Sequence, residues 1–152
     1  MGQASACRFK LSSGRPPLLF LVLLLLSASC GGSPRVPAVT PVAPIDGSLT
    51  VKASEWKFEP PRIVLQRGQR VTITFENDGS TLHDLRIADL DATGVTSEGS
   101  GLSADDGELF VAADKGKSGT LVFTPTQTGE FDFYCTIPRH RDLGMKGFVT
   151  VE

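Results

Sequence analysis

The chain of 152 residues is sparing with the side chains that usually carry chemistry: three cysteines, two histidines, two methionines, one tryptophan and one tyrosine. Only Cys135 falls in the last hundred residues, so residues 48–152 can hold no internal disulfide, and their stability must come from a packed core or from a core plus a metal. No apolar run is long enough to cross a membrane as a helix. Leu18 to Leu26, nine residues, falls well short of the ~20 that a span needs. A surplus of positive charge is also missing. Of fifteen basic and seventeen acidic residues, Arg8, Lys10, Arg15, Arg35 and Asp46 lie in the first 47 positions, which leaves residues 48–152 at net −5. That balance argues against a nucleic-acid partner. No segment shows a sustained helical period.

The first third differs from the rest. Arg8, Lys10 and Arg15 precede the short apolar run, and Ser27, Ala28 and Ser29 follow it. A basic start, a short apolar centre and small residues describe a secretory signal peptide over residues 1–29. Residues 27–32, SASCGG, resemble the lipobox of bacterial lipoproteins, although Ser27 stands where that motif prefers a branched aliphatic residue. The resemblance implies that Cys30 carries a lipid and tethers the protein to the membrane outside the cytoplasm. The alternative is ordinary cleavage nearby, with Cys30 left free or removed. Residues 31–47 carry four prolines and no strand or helix period. They read as a semi-rigid linker, roughly 50 Å when extended at about 3.1 Å per residue. Residues 30–47 are thus anchor and linker, and 48–152 the domain.

The domain reads as all β. LTVKASEWKF, VTITFEN, LHDLRI, ELFVAA, GTLVFTP, EFDFYC and GFVTVE alternate apolar and polar residues, and turn residues such as AsnAspGly at 77–79 separate them. Seven or eight short strands with frequent turns predict a Greek-key β-sandwich. The polar, Gly/Ser-rich stretch 90–107 is longer than an ordinary connection and reads as a flexible or functional loop.

One stretch concentrates the scarce residues. CTIPRHRDLGM holds Cys135, His140 and Met145, and the other histidine, His83, opens the strand HDLRI. Each alone has an ordinary structural reading: buried thiol, core filler, satisfied histidine. Together, two imidazoles, a thiolate and a weak thioether form the trigonal-plus-axial set that suits copper in electron transfer. The pattern N-D-G-S-T-x-H-D…F-x-F-Y-C-T-x-P-x-H-x-x-x-G-M-x-G, over roughly residues 48–152, resembles the cupredoxins, the mononuclear type 1 blue copper proteins. Its Cys-x4-His-x4-Met spacing is nearer to auracyanin- and rusticyanin-like members than to plastocyanin. The resemblance implies one type 1 copper ion, with His83, Cys135 and His140 as strong ligands and Met145 as the axial one. It also implies a non-enzymatic monomer that passes one electron between larger redox proteins.

Two positions depart from the pattern. Asp84 stands where plastocyanin and azurin have an asparagine, and the Thr136 hydroxyl is expected to donate to it. Arg139 stands where many relatives have glycine, and with Arg141 and Lys146 it places basic charge around His140 on an acidic domain. Rival functions fare worse. A multicopper oxidase or nitrite reductase needs further histidines, a binuclear copper centre needs a second cysteine on the loop, and a cysteine hydrolase leaves Met145 unexplained. A copper chaperone or storage protein remains, because it could use the same ligands.

Overall fold

The computed structural model describes residues 39–152, and among them there is no helix. The readings for residues 1–29, for Cys30 and for the start of the linker fall outside the described residues. Ten strands follow in order: β1 (Ser48–Ser54), β2 (Lys57–Glu59), β3 (Arg62–Leu65), β4 (Val71–Asn77), β5 (His83–Ile87), β6 (Ala92–Glu98), β7 (Phe110–Ala113), β8 (Ser118–Pro125), β9 (Gly129–Tyr134) and β10 (Lys146–Val151). They form two five-stranded sheets, in the orders β2-β1-β4-β8-β6 and β3-β10-β9-β5-β7. Most neighbours are antiparallel, but β1 runs parallel to β4 and β10 parallel to β3.

The all-β class agrees with the alternation in the sequence, while the strand count exceeds the seven or eight expected. The run LTVKASEWKF is two strands, because Glu55 and Trp56 make a turn and Phe58 comes back to pair with Ala53. RIVL forms β3 beside β10, too short to announce itself by period. The stretch 90–107 is not one long loop. Ala92–Glu98 pairs with β8 across an irregularity between Thr93 and Thr96, where Gly94 takes φ +61°. A bulge at a glycine hides the period-two pattern that would mark this segment as a strand. The next residues cover the outer strand β7: the Ser100 N–H donates to the Ala112 carbonyl, and the Ser100 hydroxyl accepts from the Asp114 N–H. Part of the proline-rich stretch is also bound to the domain, since the Val42 N–H donates to the Arg62 carbonyl and the Val64 N–H to the Val42 carbonyl.

Between the sheets lies a single apolar core. Burial alternates strictly along β1, β4 and β8, and Val51, Ile73, Phe75, Leu121, Phe123 and Phe133 are completely enclosed. Each such side chain contributes about 1.5–3 kcal/mol relative to exposure. At one pole the core gives way to polar groups: Asn77, His83, Asp84 and His140 are the buried polar side chains of the described residues.

Candidate metal centre

Strand pairing brings the distant histidine to the cysteine loop. β5 and β9 are antiparallel, with Arg86 opposite Tyr134. His83 precedes Arg86 and Cys135 follows Tyr134, so both stand at the same end of the sheet. β9 and β10 are antiparallel with Tyr134 opposite Lys146, which makes residues 135–145 the loop that closes over that end. The loop is tied at its neck and within: the Cys135 N–H donates to the Met145 carbonyl (3.1 Å), Met145 N–H to the His140 carbonyl (3.0 Å), and His140 N–H to the Ile137 carbonyl (3.0 Å).

The donor atoms of His83, Cys135 and His140 all lie within 4.8 Å of one another. Cys135 Sγ is 3.4 Å from His140 Nδ1. His83 and Met145 are completely buried, Cys135 is 1% exposed and His140 7%. Neither ring nitrogen of His83 has a hydrogen-bond partner. An unpaired buried polar group costs about 1–3 kcal/mol, and natural proteins rarely leave one without a use. A thiol, two imidazoles and a deficit of partners on one of them form a donor set suited to a borderline-soft ion such as copper.

Surrounding groups hold these donors in place. Asp84 is completely buried and accepts from Thr136 twice, from the N–H (2.7 Å) and from the hydroxyl (2.8 Å). The expected hydroxyl contact is present, and a backbone bond joins it. Asn77 donates to the Thr81 (2.8 Å) and Ala113 (2.7 Å) carbonyls and accepts from the Gly79 N–H (2.9 Å), which fixes the loop before β5. Gly79 lies against the Nε2 edge of His83, so close that a Cβ there would sit 2.6 Å from Nε2. Glu55 accepts from the Ser80 N–H and hydroxyl, and its Oε1 stands 3.8 Å from His83 Nε2. On the outer side the Trp56 ring meets His140 edge-on at 4.6 Å, and Trp56 is 37% exposed.

Burial dominates the electrostatics. It pushes the Cys135 thiol up to about 11, only partly offset by hydrogen bonding from the Asp84 and Ile137 backbone. Burial likewise lowers the pKa of His83, and the neighbouring His140 adds to the effect. Asp84 is raised by burial despite the two bonds from Thr136. Glu55, bonded by the Ser80 hydroxyl and N–H, is held down at about 2.

Glu55, Trp56, Asn77 and Gly79 carry no metal-ligand signature, and sequence reasoning passes over their roles. The AsnAspGly turn at 77–79 is a visible signal, but it reads as a turn and not as a brace for a histidine four to six positions on. Arg139 adopts φ +74°, the left-handed region that favours glycine. The backbone of the loop thus requires what Pro-Gly-His supplies, and this chain meets it with a strained arginine. Arg141 is less free than the sequence suggests, because it pairs with Asp132 (3.1 Å) and lies over the Tyr134 ring at 4.1 Å.

Residues 17–151 match the family described as Cupredoxin-like domain. The copper-resistant cuproprotein CopI of Rubrivivax gelatinosus is 34% identical over 106 residues, covering 66% of this chain and 63% of that protein. The chain therefore spans slightly less than two thirds of that relative's length. Auracyanin-A of Chloroflexus aurantiacus is 24% identical over 147 residues, 85% of this chain and 90% of its own. Among solved structures, Na-dithionite reduced auracyanin from Roseiflexus castenholzii superposes with a TM-score of 0.54 at 23% identity, over 70% of this chain and 97% of that one. That likeness concerns the fold.

Proposed function

The chain belongs to the cupredoxin-like domain family, and from that premise we propose that it is a mononuclear copper protein that carries single electrons between larger redox proteins outside the cytoplasm. His83, Cys135 and His140 serve as the strong ligands and Met145 as the weak axial one. The observation that carries this reading is the buried cluster itself, in which a fully enclosed histidine with both ring nitrogens unpartnered stands beside a buried thiol and a second imidazole. Copper bound there supplies reversible exchange of one electron.

The protein's own residues supply rigidity, dryness and a route. The bonds at the loop neck and the Asp84–Thr136 pair keep the donors in one arrangement, which limits rearrangement between oxidation states. Burial keeps water from the site. With its pKa raised to about 11, the Cys135 thiol is protonated in the metal-free protein at neutral pH, so loading displaces its proton. His140 is the least buried of the three strong donors, and with Trp56 against it offers the shortest way to the surface. The short apolar run and SASCGG support export and a lipid on Cys30; an intact mass of the mature protein showing an unmodified N-terminus beyond Cys30 would remove the anchor from this reading.

A second reading, a copper-holding protein that protects against the metal, is favoured by the 34% identity to a copper-resistant cuproprotein. The test is to add Cu(II) to the purified domain and look for the intense blue thiolate-to-copper band, then to cycle it with reductant and oxidant beside a chelator. A blue protein that keeps its metal through many cycles is a carrier, while one that surrenders it on reduction is a holder. Cys135→Ser abolishes the band. A colourless wild-type protein ends the type 1 carrier reading, and one that takes up only zinc ends both copper readings.

A further inference from the structure

His83 presents an unsolved accounting problem even after a metal is granted. A neutral imidazole that gives one nitrogen to a metal carries its proton on the other, and that N–H must find an acceptor when it is buried. The Nε2 edge of His83 faces Gly79, where even a Cβ would be too close, and no hydrogen-bond acceptor among the described residues reaches Nε2. The one carboxylate beside it is Glu55, whose Oε1 stands 3.8 Å away. That gap exceeds the ~3.2 Å reach of an N–H···O bond by so little that a small rotation of either side chain closes it. Glu55 is not a stray surface group. It sits in the turn between β1 and β2 and is clamped by the Ser80 N–H and hydroxyl, on the same short loop that seats Gly79 against His83.

We propose that Glu55 is a positioning residue of the metal centre, whose carboxylate accepts the Nε2–H of His83 and so fixes that ring with Nδ1 toward Cys135 and His140. This rests on the copper reading above. A carboxylate behind a ligating imidazole raises its basicity, and a fixed negative charge there favours Cu(II) over Cu(I). Glu55 thereby holds the reduction potential below the value that the four ligands alone would set.

The test compares the wild type with Glu55→Gln and Ser80→Ala, all loaded with copper. Glu55→Gln keeps an oxygen that can accept Nε2–H but removes the negative charge, and altering the partner behind a metal-bound histidine costs roughly tenfold or more in affinity. The expected result for Glu55→Gln is a roughly tenfold drop in Cu(II) affinity by chelator competition with Cu(I) affinity little changed, and hence a potential raised by about 59 mV. Ser80→Ala keeps the carboxylate and loses only one bond from the clamp, so its potential stays near the wild type. A Glu55→Gln protein with unaltered Cu(II) affinity and potential overturns the proposal. Equal shifts in both variants also overturn it, because they would mark Glu55 as a loop anchor alone. Should Glu55→Gln not fold, the Cu(I)-loaded wild type decides by NMR: a downfield-shifted His83 Nε2–H, as a bond to a carboxylate produces, supports the bond, and a shift at the unbonded imidazole value refutes it. A wild type that never turns blue refutes the underlying copper reading instead, a result separable from a blue protein indifferent to Glu55.

Discussion

Gly79→Ala tests whether the loop before β5 is shaped for His83. The added Cβ would lie 2.6 Å from His83 Nε2, 2.8 Å from its Cδ2 and 3.1 Å from Asn77 Oδ1. Ordinary van der Waals contact begins at 3.4 Å, so about 0.8 Å of relief is needed at the ring. The loop yields poorly, because Asn77 ties it at Gly79, Thr81 and Ala113. The imidazole is the free end of a side chain and moves instead, into the donor cluster. Overpacking of this kind costs about 1–3 kcal/mol, which lowers the Tm by about 4–8 °C per kcal/mol in a domain near this size. The metal suffers more. Ligand distances are tolerated to about ±0.2 Å, and a displacement several times larger costs on the order of tenfold to a hundredfold in affinity. The assay pairs thermal unfolding of the metal-free protein with copper affinity by chelator competition. If Gly79→Ala loses stability but binds copper as the wild type does, the loop moves rather than the ring, and the reasoning fails.

Four further outcomes are expected. Met145→Gln keeps the blue colour and lowers the potential by about 59 mV or more, a tenfold shift toward Cu(II), because a harder oxygen donor replaces the thioether; an unchanged potential by voltammetry would make Met145 core filler. Asp84→Asn stabilises the metal-free protein at neutral pH relative to the wild type. The Asp84 pKa is raised in the fold by burial, so its favourable protonated form is fully present below about 3.8 and lost as pH rises through the folded value; the advantage of the variant in urea unfolding should vanish below about pH 3.8, and an equal advantage at all pH values would contradict this. Arg139→Gly relieves the φ of +74° and adds about 1 kcal/mol, read as a Tm several degrees higher, and a lower Tm would show that the arginine side chain is worth more than the strain. Arg139→Glu with Arg141→Glu slows electron transfer to a partner at low salt, with recovery as the Debye length falls below about 8–10 Å; equal rates for both proteins at low salt would end the steering idea.

The parts of the fold that were legible in the sequence are those where one face is buried and the other wet. β1, β4 and β8 alternate because each has the core on one side. β6 escaped notice because its burial is irregular and its bulge sits on Gly94, and β3 because four residues carry too little pattern. The cluster of His83, Cys135 and His140 was legible because cysteine and histidine are scarce here and two of the three share one loop. Thr136 beside Asp84 could be anticipated because both flank donors. Glu55 and Gly79 could not, since their importance arises from which loop lands behind His83, a tertiary fact with no local signature.

β10 is the last of the described strands, yet it lies inside its sheet, between β3 and β9. It begins immediately after Met145, and its pairing with β9 closes the loop that carries Cys135 and His140. β7, β5 and β9 can pair without β10, but until β10 is in place the loop 135–145 has only one of its two anchors. Such non-local pairing is also slow to form, on the order of milliseconds to seconds. The loop that carries Cys135 and His140 is thereby fixed only once a strand beyond it has paired, so its order depends on the β3-β10-β9 half of the sheet and not on its own residues.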